Sequence, residues 1–563
     1  MASVMGPYLK ITVLIWADVL AAYALWVMQT YLTNVWKMSI TNAAAIVNVF
    51  TGVSTLLPLA LTFLMDTFFG NFWMLLFSSL SYCVGMGFLA MSTPPVLSAA
   101  TGTCNNYDPA CIGDTQTVLF YISLVLIAFG MAGHISSLGP FIMDQVPPEA
   151  GGNVEAPPNE APYVCLAIFA MVLVPIIAVF ALPYIKPWSI RFGIPAICTL
   201  VSTLIFLSGL HSYIYVEPRG SSLTHIFQVY VASTLKIHHH RPRDAAQLYE
   251  RDDHDDDLVP HTNRFRCLDK AAIILPNQTQ EEQERNKWKL CRVTEVEETK
   301  ITIRMVPIWL TFIVCGIVMA VGNTYFLEQA NHMNHKVGHL KVPIPILLAF
   351  YDMSKSYATK LYHIISITIG KSGLKYVAPV GIATGMLLSI LCCITAAKVE
   401  ARRINVITKH GLLDKPDETI PMSIFWLLPQ FLLLGAMDGL ARKGVEGFFH
   451  DQVPKSMRAY MVLFTEAVFG AGIIASVLSV YISNKVSKRG GRQGWFQYTL
   501  NRSRLDNYYW TLAALSAINL VFFAVVASCY SYKDGEIEDD EDDLSEDEET
   551  SAPYDDSASC CCC

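Results

Sequence analysis

A chain of 563 residues that is 53% hydrophobic and only 16% charged, with a mean hydropathy of +0.38, is too apolar to fold as an ordinary soluble globule. Its formal net charge of -8 gathers largely in one acidic tail, Asp534 to Asp556, so it gives no basis for a nucleic-acid partner. No nucleophile with its base, no metal-ligand set and no phosphate loop is evident, which argues against an enzyme and against a bound cofactor.

The first apolar stretch, from about Ile11 to Tyr31, is too long for a signal-peptide core and lacks a small-residue cleavage site, so it reads as a membrane span. A crossing of the hydrocarbon core needs roughly 20 apolar residues, and a window of about 19 predicts about twelve such segments. The first six cover 10–31, 42–65, 71–92, 117–143, 163–184 and 189–213. In the loop before the fourth, Cys104 and Cys111 are a candidate disulfide if that loop faces an oxidising compartment. A polar linker, 216–302, follows. Its His238-His239-His240 tract and the run Asp252 to Asp257 look metal-binding by composition only, and a solvated loop is the simpler reading. The second six spans cover 303–327, 342–367, 375–397, 421–447, 459–482 and 508–530. The tail, 533–563, is acidic enough to be disordered. In it Ser545 and Thr550 suit an acid-directed kinase, and Cys560 to Cys563 lack the aliphatic middle of a prenylation box, leaving palmitoylation or an unmodified end.

Six spans (1–215), a linker (216–302) and six more (303–532) are the layout of an all-α membrane protein with about twelve transmembrane helices in two six-helix bundles, the major facilitator fold. Function is then expected near the midplane, between the bundles. Positive-inside counting does not orient the chain, because Lys398 to Lys415 and Lys485 to Arg504 rival the linker in basic residues.

Several blocks carry a family likeness: Asp66-Thr67-Phe68-Phe69-Gly70 after the second span, Asp144-Gln145 at the end of the fourth, and RFRCLDKAA (Arg264 to Ala272) with WKLCRVTEVEETK (Trp288 to Lys300) in the linker. FWLLPQFLLLGAMDG and FFHDQVPKSMR bracket the tenth span, and LDNYYWTLAALSAIN opens the last. Up to about residue 532 the chain resembles plant members of the proton-dependent oligopeptide transporter family, the nitrate/peptide transporters. The resemblance implies cytoplasmic termini and linker, which sets aside the glycosylation pattern at Asn277, and alternating-access transport of a small solute, usually coupled to protons. It also favours the plasma membrane over the vacuolar membrane.

The family's E-x-x-E-R cluster falls at Leu14, Ala17 and Asp18 when aligned on Tyr31-Leu32-Thr33, and its span-four lysine falls at Ile135, beside His134. The usual proton-handling and peptide-binding charges are therefore absent. Ionisable residues within spans are costly and point to function by default. Asp18 reads either as a surviving proton site or as a neutral carboxyl bonded to a neighbouring helix. Asp438, Arg442 and Glu446, spaced i, i+4, i+8 with Lys443 alongside, read as a self-neutralising ladder or as a gate. Lys355 is the candidate replacement cation, although Asp352 at i−3 offers it a simple pair. Glu466 has no cation within a turn and must face a cavity, pair across helices or carry a proton. His134 is a titrating or packing histidine, and Tyr23, Trp26 and Trp426 read as pocket aromatics or as core and interface-belt residues.

Two functions fit. One is a secondary transporter of a small anionic or zwitterionic solute, nitrate among them, with altered or lost proton coupling; the other is a non-transporting sensor or scaffold that kept the fold. The costly charges in spans eight and ten favour the transporter. The expected partners are the solute, the bilayer and a proton as coupling ion.

Overall fold

A computed structural model of the protein describes residues 2–145, 173–174, 176–218, 220–239, 248–250, 261–262, 264–275, 283, 286–368 and 374–529, apart from 417, 454 and 492. Half of the expected fifth span, the run Asp252 to Asp257, the Asn277 pattern and the tail with Ser545, Thr550 and Cys560 to Cys563 lie outside these residues. The architecture is all-α: α1 (Ala2–Trp26), α2 (Met28–Asn34), α3 (Ile40–Leu64), α4 (Gly70–Met91), α5 (Pro94–Thr101), α6 (Asp114–Asp144) and α7 (Trp188–Leu207) come before the linker helix α8 (Ser222–Leu235). Then follow α9 (Val293–Asn323), α10 (Tyr325–His332), α11 (Ile346–Thr368), α12 (Leu374–Lys409), α13 (Leu428–Gln452), α14 (Lys455–Ser487) and α15 (Leu505–Cys529). Nine helical stretches among the described residues are long and apolar enough to cross a membrane. Residues 346–368 are helical where the eighth span was expected but are not among the nine, because Asp352, Lys355 and Lys360 lower their hydropathy.

Local sequence sets the breaks. A π-turn over Met65–Phe69 ends α3, and Gly70 takes a left-handed φ of 71° that starts α4 in a new direction. A side chain there would also crowd the Val216 carbonyl. Ser39 caps α3 by accepting from the Asn42 amide. Short strands add a detail that an all-helical reading lacks: β1 (Met333–Asn334) pairs in parallel with β4 (Ile420–Ser423), and β2 (Lys336–Val337) pairs antiparallel with β3 (Leu340–Lys341). The β1–β4 pair ties the loop after α10 to the residues before α13.

Helices α1, α3, α4, α6 and α7 pack together, as do α9 and α11 through α15, and the main seam between the two sets is α3 against α14. Lipid offers no hydrophobic drive for that seam, so small residues and polar contacts build it. A Cβ on Gly470 would lie 2.7 Å from the Gly52 carbonyl oxygen, and Asn48 donates to Ser476 at 3.0 Å.

The described part of the linker is a packed unit rather than a loose strand. Val229 and Ala232 of α8 bury against Leu268, Ala271 and Ala272 of the RFRCLDKAA block and Val296 of α9. The Lys236 ammonium donates to the Ala271 and Ile273 carbonyls at 3.0 and 2.7 Å, and burial brings its pKa down to about 8. Burial in turn pushes the Cys291 thiol up to about 12. His238 and His239 of the histidine tract are exposed.

Candidate functional site

Four charged side chains meet midway along the second helix set. Asp438, one of the fully buried residues, accepts from Arg442 Nε at 2.5 Å, from Lys355 Nζ at 2.6 Å and from the Tyr351 hydroxyl at 2.7 Å. Arg442 also pairs with Glu466 on α14 and lies 4.8 Å over the Phe469 ring. Helical geometry explains the convergence: Asp438 and Arg442 are one turn apart on α13, while Gly435 and Gly439 on the same face let α11 approach closely enough for Lys355 to reach across. With two carboxylates and two cations the set is neutral, which a low-dielectric interior requires.

Two expectations are corrected by this geometry. The ladder on α13 stops at Arg442, whose second carboxylate is Glu466, while Glu446 pairs with Lys443 at 2.5 Å. Lys355 joins Asp438 instead of Asp352, because buried Asp438 is the better desolvated partner. Glu466 takes the cross-helix pairing that was one of its three options. Lys355, Arg442, Lys443, Glu446 and Glu466 line a cavity of about 190 Å³, and a second of about 610 Å³ continues past Lys360, Tyr362 and His363 towards the linker side.

A second polar pair sits in the first helix set. His134 Nδ1 lies 2.9 Å from Asp18 Oδ2, its Nε2 lies 2.8 Å from Ser79 Oγ, and its ring stands edge-on to Tyr82. The imidazole thus links α1, α4 and α6. Tyr23, five residues along α1 from Asp18, donates to Asp352 on α11 at 3.1 Å. That bond joins the two helix sets, and Asp352 neighbours Lys355 by one turn.

On the face opposite the linker, Thr33 donates to Glu328 at 3.1 Å, Asn331 donates to Asn34 at 3.2 Å and Tyr498 donates to the Lys37 carbonyl at 2.7 Å. His332 holds the other oxygen of Glu328 at 3.0 Å. On the linker side, Tyr460 bonds to Asp66 and lies 2.8 Å from Ser221, while the Gly220 amide donates to the Asp66 carbonyl. Cys104 and Cys111 are joined in a disulfide on the face away from the linker. Trp426 stacks under Arg402, 3.8 Å from its guanidinium carbon, and lines none of these cavities.

Sequence reasoning passed over Tyr351, Ser79 and Glu328, which look ordinary until helices bring them to charged neighbours. It also missed the buried pair Glu400–Arg403, at 2.7 Å, although its i, i+3 spacing was visible. In the linker, His261, Asp269 and Glu297 converge in a way that suits a metal ion, but Lys300 already pairs with both carboxylates at 2.6 and 2.7 Å and supplies the positive charge.

The POT family pattern (PTR2) matches residues 72–496. Protein NRT1/PTR FAMILY 5.5 of Arabidopsis thaliana is 41% identical over 536 residues, covering 94% of this chain and 98% of its own. Protein NRT1/PTR FAMILY 5.4 of the same plant is 31% identical over 531 residues, covering 91% and 92%. Among solved structures, an auto-inhibited POT family peptide transporter superposes with a TM-score of 0.62 at 16% identity, covering 94% of this chain and 98% of that one. A POT family transporter in complex with 5-aminolevulinic acid gives 0.58 at 11% identity, covering 93% and 96%. The chain therefore belongs to the POT family, alongside the plant NRT1/PTR proteins, and is a multi-pass secondary membrane transporter of the major facilitator fold and not an enzyme.

Proposed function

We propose that the protein moves a small anionic or zwitterionic solute, nitrate among the candidates, across the plasma membrane by alternating access of bundles 1–215 and 303–532 joined by the linker 216–302. The observation that carries this reading is Lys355: its side chain is 39% exposed to a cavity, whereas its partner Asp438 is 0% exposed. An incoming anion reaches the exposed ammonium and competes with Asp438 for it, while Arg442 and Tyr351 keep Asp438 satisfied. Solute binding thereby loosens the tie between α11 and α13, two helices that must shift if the bundles rock. The 5-aminolevulinic acid complex of a distant relative supports a small zwitterion as a fitting cargo class for such a cavity.

For proton coupling we assign Asp18 and His134 in place of the family's missing cluster. A carboxylate and an imidazole in hydrogen-bond contact share one proton readily, and their contact spans α1 and α6. Glu446 and Lys443 flank the route to the linker side, and Tyr23 closes the midplane against Asp352. The test is uptake in voltage-clamped oocytes at acidic and neutral pH, comparing nitrate with dipeptides and the native chain with Lys355→Ala. Uptake of nitrate that Lys355→Ala abolishes supports the reading. A surface-expressed protein that carries dipeptides and ignores nitrate, with Lys355→Ala unaffected, sinks it.

A further inference from the structure

A separate concavity of about 520 Å³ opens on the face opposite the linker, between α2, the start of α7 and the loop after α10. Four cations line it, Lys186, Arg191, Lys336 and Lys341, and among the described residues no carboxylate lines it. Glu328, on the helix before the loop, is buried and held by Thr33 and His332. Three of the lysines are exposed, while Arg191 is half-buried with its guanidinium 4.2 Å over the Trp188 ring and donating to the Ile185 carbonyl at 2.9 Å.

Two further observations point to a ligand. Lys336 and Lys341 are direct cross-strand partners in the β2–β3 hairpin. Like charges facing each other on an antiparallel pair destabilise it unless a counter-charge lies between them. Thr30, only 6% exposed, lines the same concavity with its hydroxyl unpartnered. A hydroxyl shielded from water without a partner is costly, and an oxyanion would accept from it. Burial and the nearby Lys341 charge hold the His335 imidazole below its ordinary pKa, so the positive field comes from the lysines and Arg191.

We propose that this vestibule is an oxyanion capture site, which takes nitrate or a small carboxylate between the paired lysines and Thr30 before it reaches the midplane. It is distinct from the Lys355 cavity, and its test does not depend on transport. A pocket lined by one sign of charge concentrates counter-ions and speeds their encounter.

The experiment places a cysteine at Asn334, which lines the vestibule, and measures its rate of modification by anionic and cationic methanethiosulfonates in the full chain held in phosphatidylcholine nanodiscs. The unsubstituted chain gives the background from native cysteines, and Ala100→Cys on the same face serves as control. The anionic reagent should be favoured at Asn334→Cys by about tenfold or more over its preference at the control. Lys336→Gln with Lys341→Gln should remove that advantage, whereas Lys355→Ala should leave it intact. Nitrate, succinate or both should slow the reaction at Asn334→Cys in a concentration-dependent way, and which one does so identifies the class of oxyanion. An anionic preference that survives loss of both lysines, or protection equal at Ala100→Cys, would overturn the proposal.

Discussion

Replacing Asp438 by asparagine keeps the shape of the side chain but removes the charge that holds Lys355 and Arg442. The native set of Asp438, Glu466, Lys355 and Arg442 sums to zero; the variant leaves one positive charge in excess beside a carboxyl site that is 0% exposed. Breaking a buried ion pair by deleting one partner costs about 3–5 kcal/mol, because the remaining charge stays desolvated. The full cost should not appear here, since Lys355 is 39% exposed and can turn towards water, so a loss of about 2–3 kcal/mol is expected. Thermal unfolding of the detergent-purified protein should show Asp438→Asn well below the native chain and Lys355→Gln only slightly below it. The double variant restores neutrality and should recover much of the loss, giving a coupling of about 1–2 kcal/mol in a double-mutant cycle. The reasoning fails if Asp438→Asn melts with the native protein, or if Lys355→Gln adds its own loss to that of Asp438→Asn without recovery.

Other consequences are sharper in kind than in size. His134→Gln preserves a hydrogen bond to Asp18 but cannot titrate, so it should flatten the pH dependence of uptake while leaving surface expression near native; a pH profile matching the native one would count against the Asp18–His134 assignment. Gly470→Ala forces α3 from α14, since its Cβ would meet the Gly52 carbonyl at 2.7 Å; overpacking of about 1–3 kcal/mol should lower the melting temperature, and an unchanged melt would contradict the tight seam. The folded pKa of Lys236, about 8, lies below its ordinary 10.5, so folding sheds a proton between those values. The destabilising cost is fully present below pH 8 and is relieved as pH rises towards 10.5. Amide exchange of the Lys236 peptide in the intact protein, corrected for intrinsic rate, should therefore slow across that window, and acceleration would refute the buried-lysine account.

The helical layout was legible because a membrane span announces itself in composition: an apolar run such as Tyr509 to Val526 has no other way to satisfy its backbone. Residues 346–368 were harder to interpret, since the charges that make that helix informative also erase its hydropathy signal. Candidate residues could be named one by one from their cost in lipid, yet their partners could not. Glu466 and Arg442 are 24 positions apart and Asp18 and His134 are 116 apart, distances over which sequence spacing has no rule. The i, i+4 rule found Asp438 with Arg442 and misassigned Glu446, because helix neighbours compete with tertiary ones and the buried acid takes the cations.

The hydrogen bond from Tyr23 to Asp352 makes the protein its own ligand. A solute that passes from the Lys355 cavity to settle between α1 and α11 must displace the phenol from Asp352. A hydrogen bond to a charged group contributes about 1.5 kcal/mol or more, so this internal competitor weakens apparent affinity by roughly tenfold. It also discriminates: a ligand with only a negative end meets Asp352 as a like charge, whereas one that can donate a proton or carries a positive end replaces Tyr23 on equal terms. Tight binding is thereby exchanged for easy release, which suits a carrier that must let go on the far side.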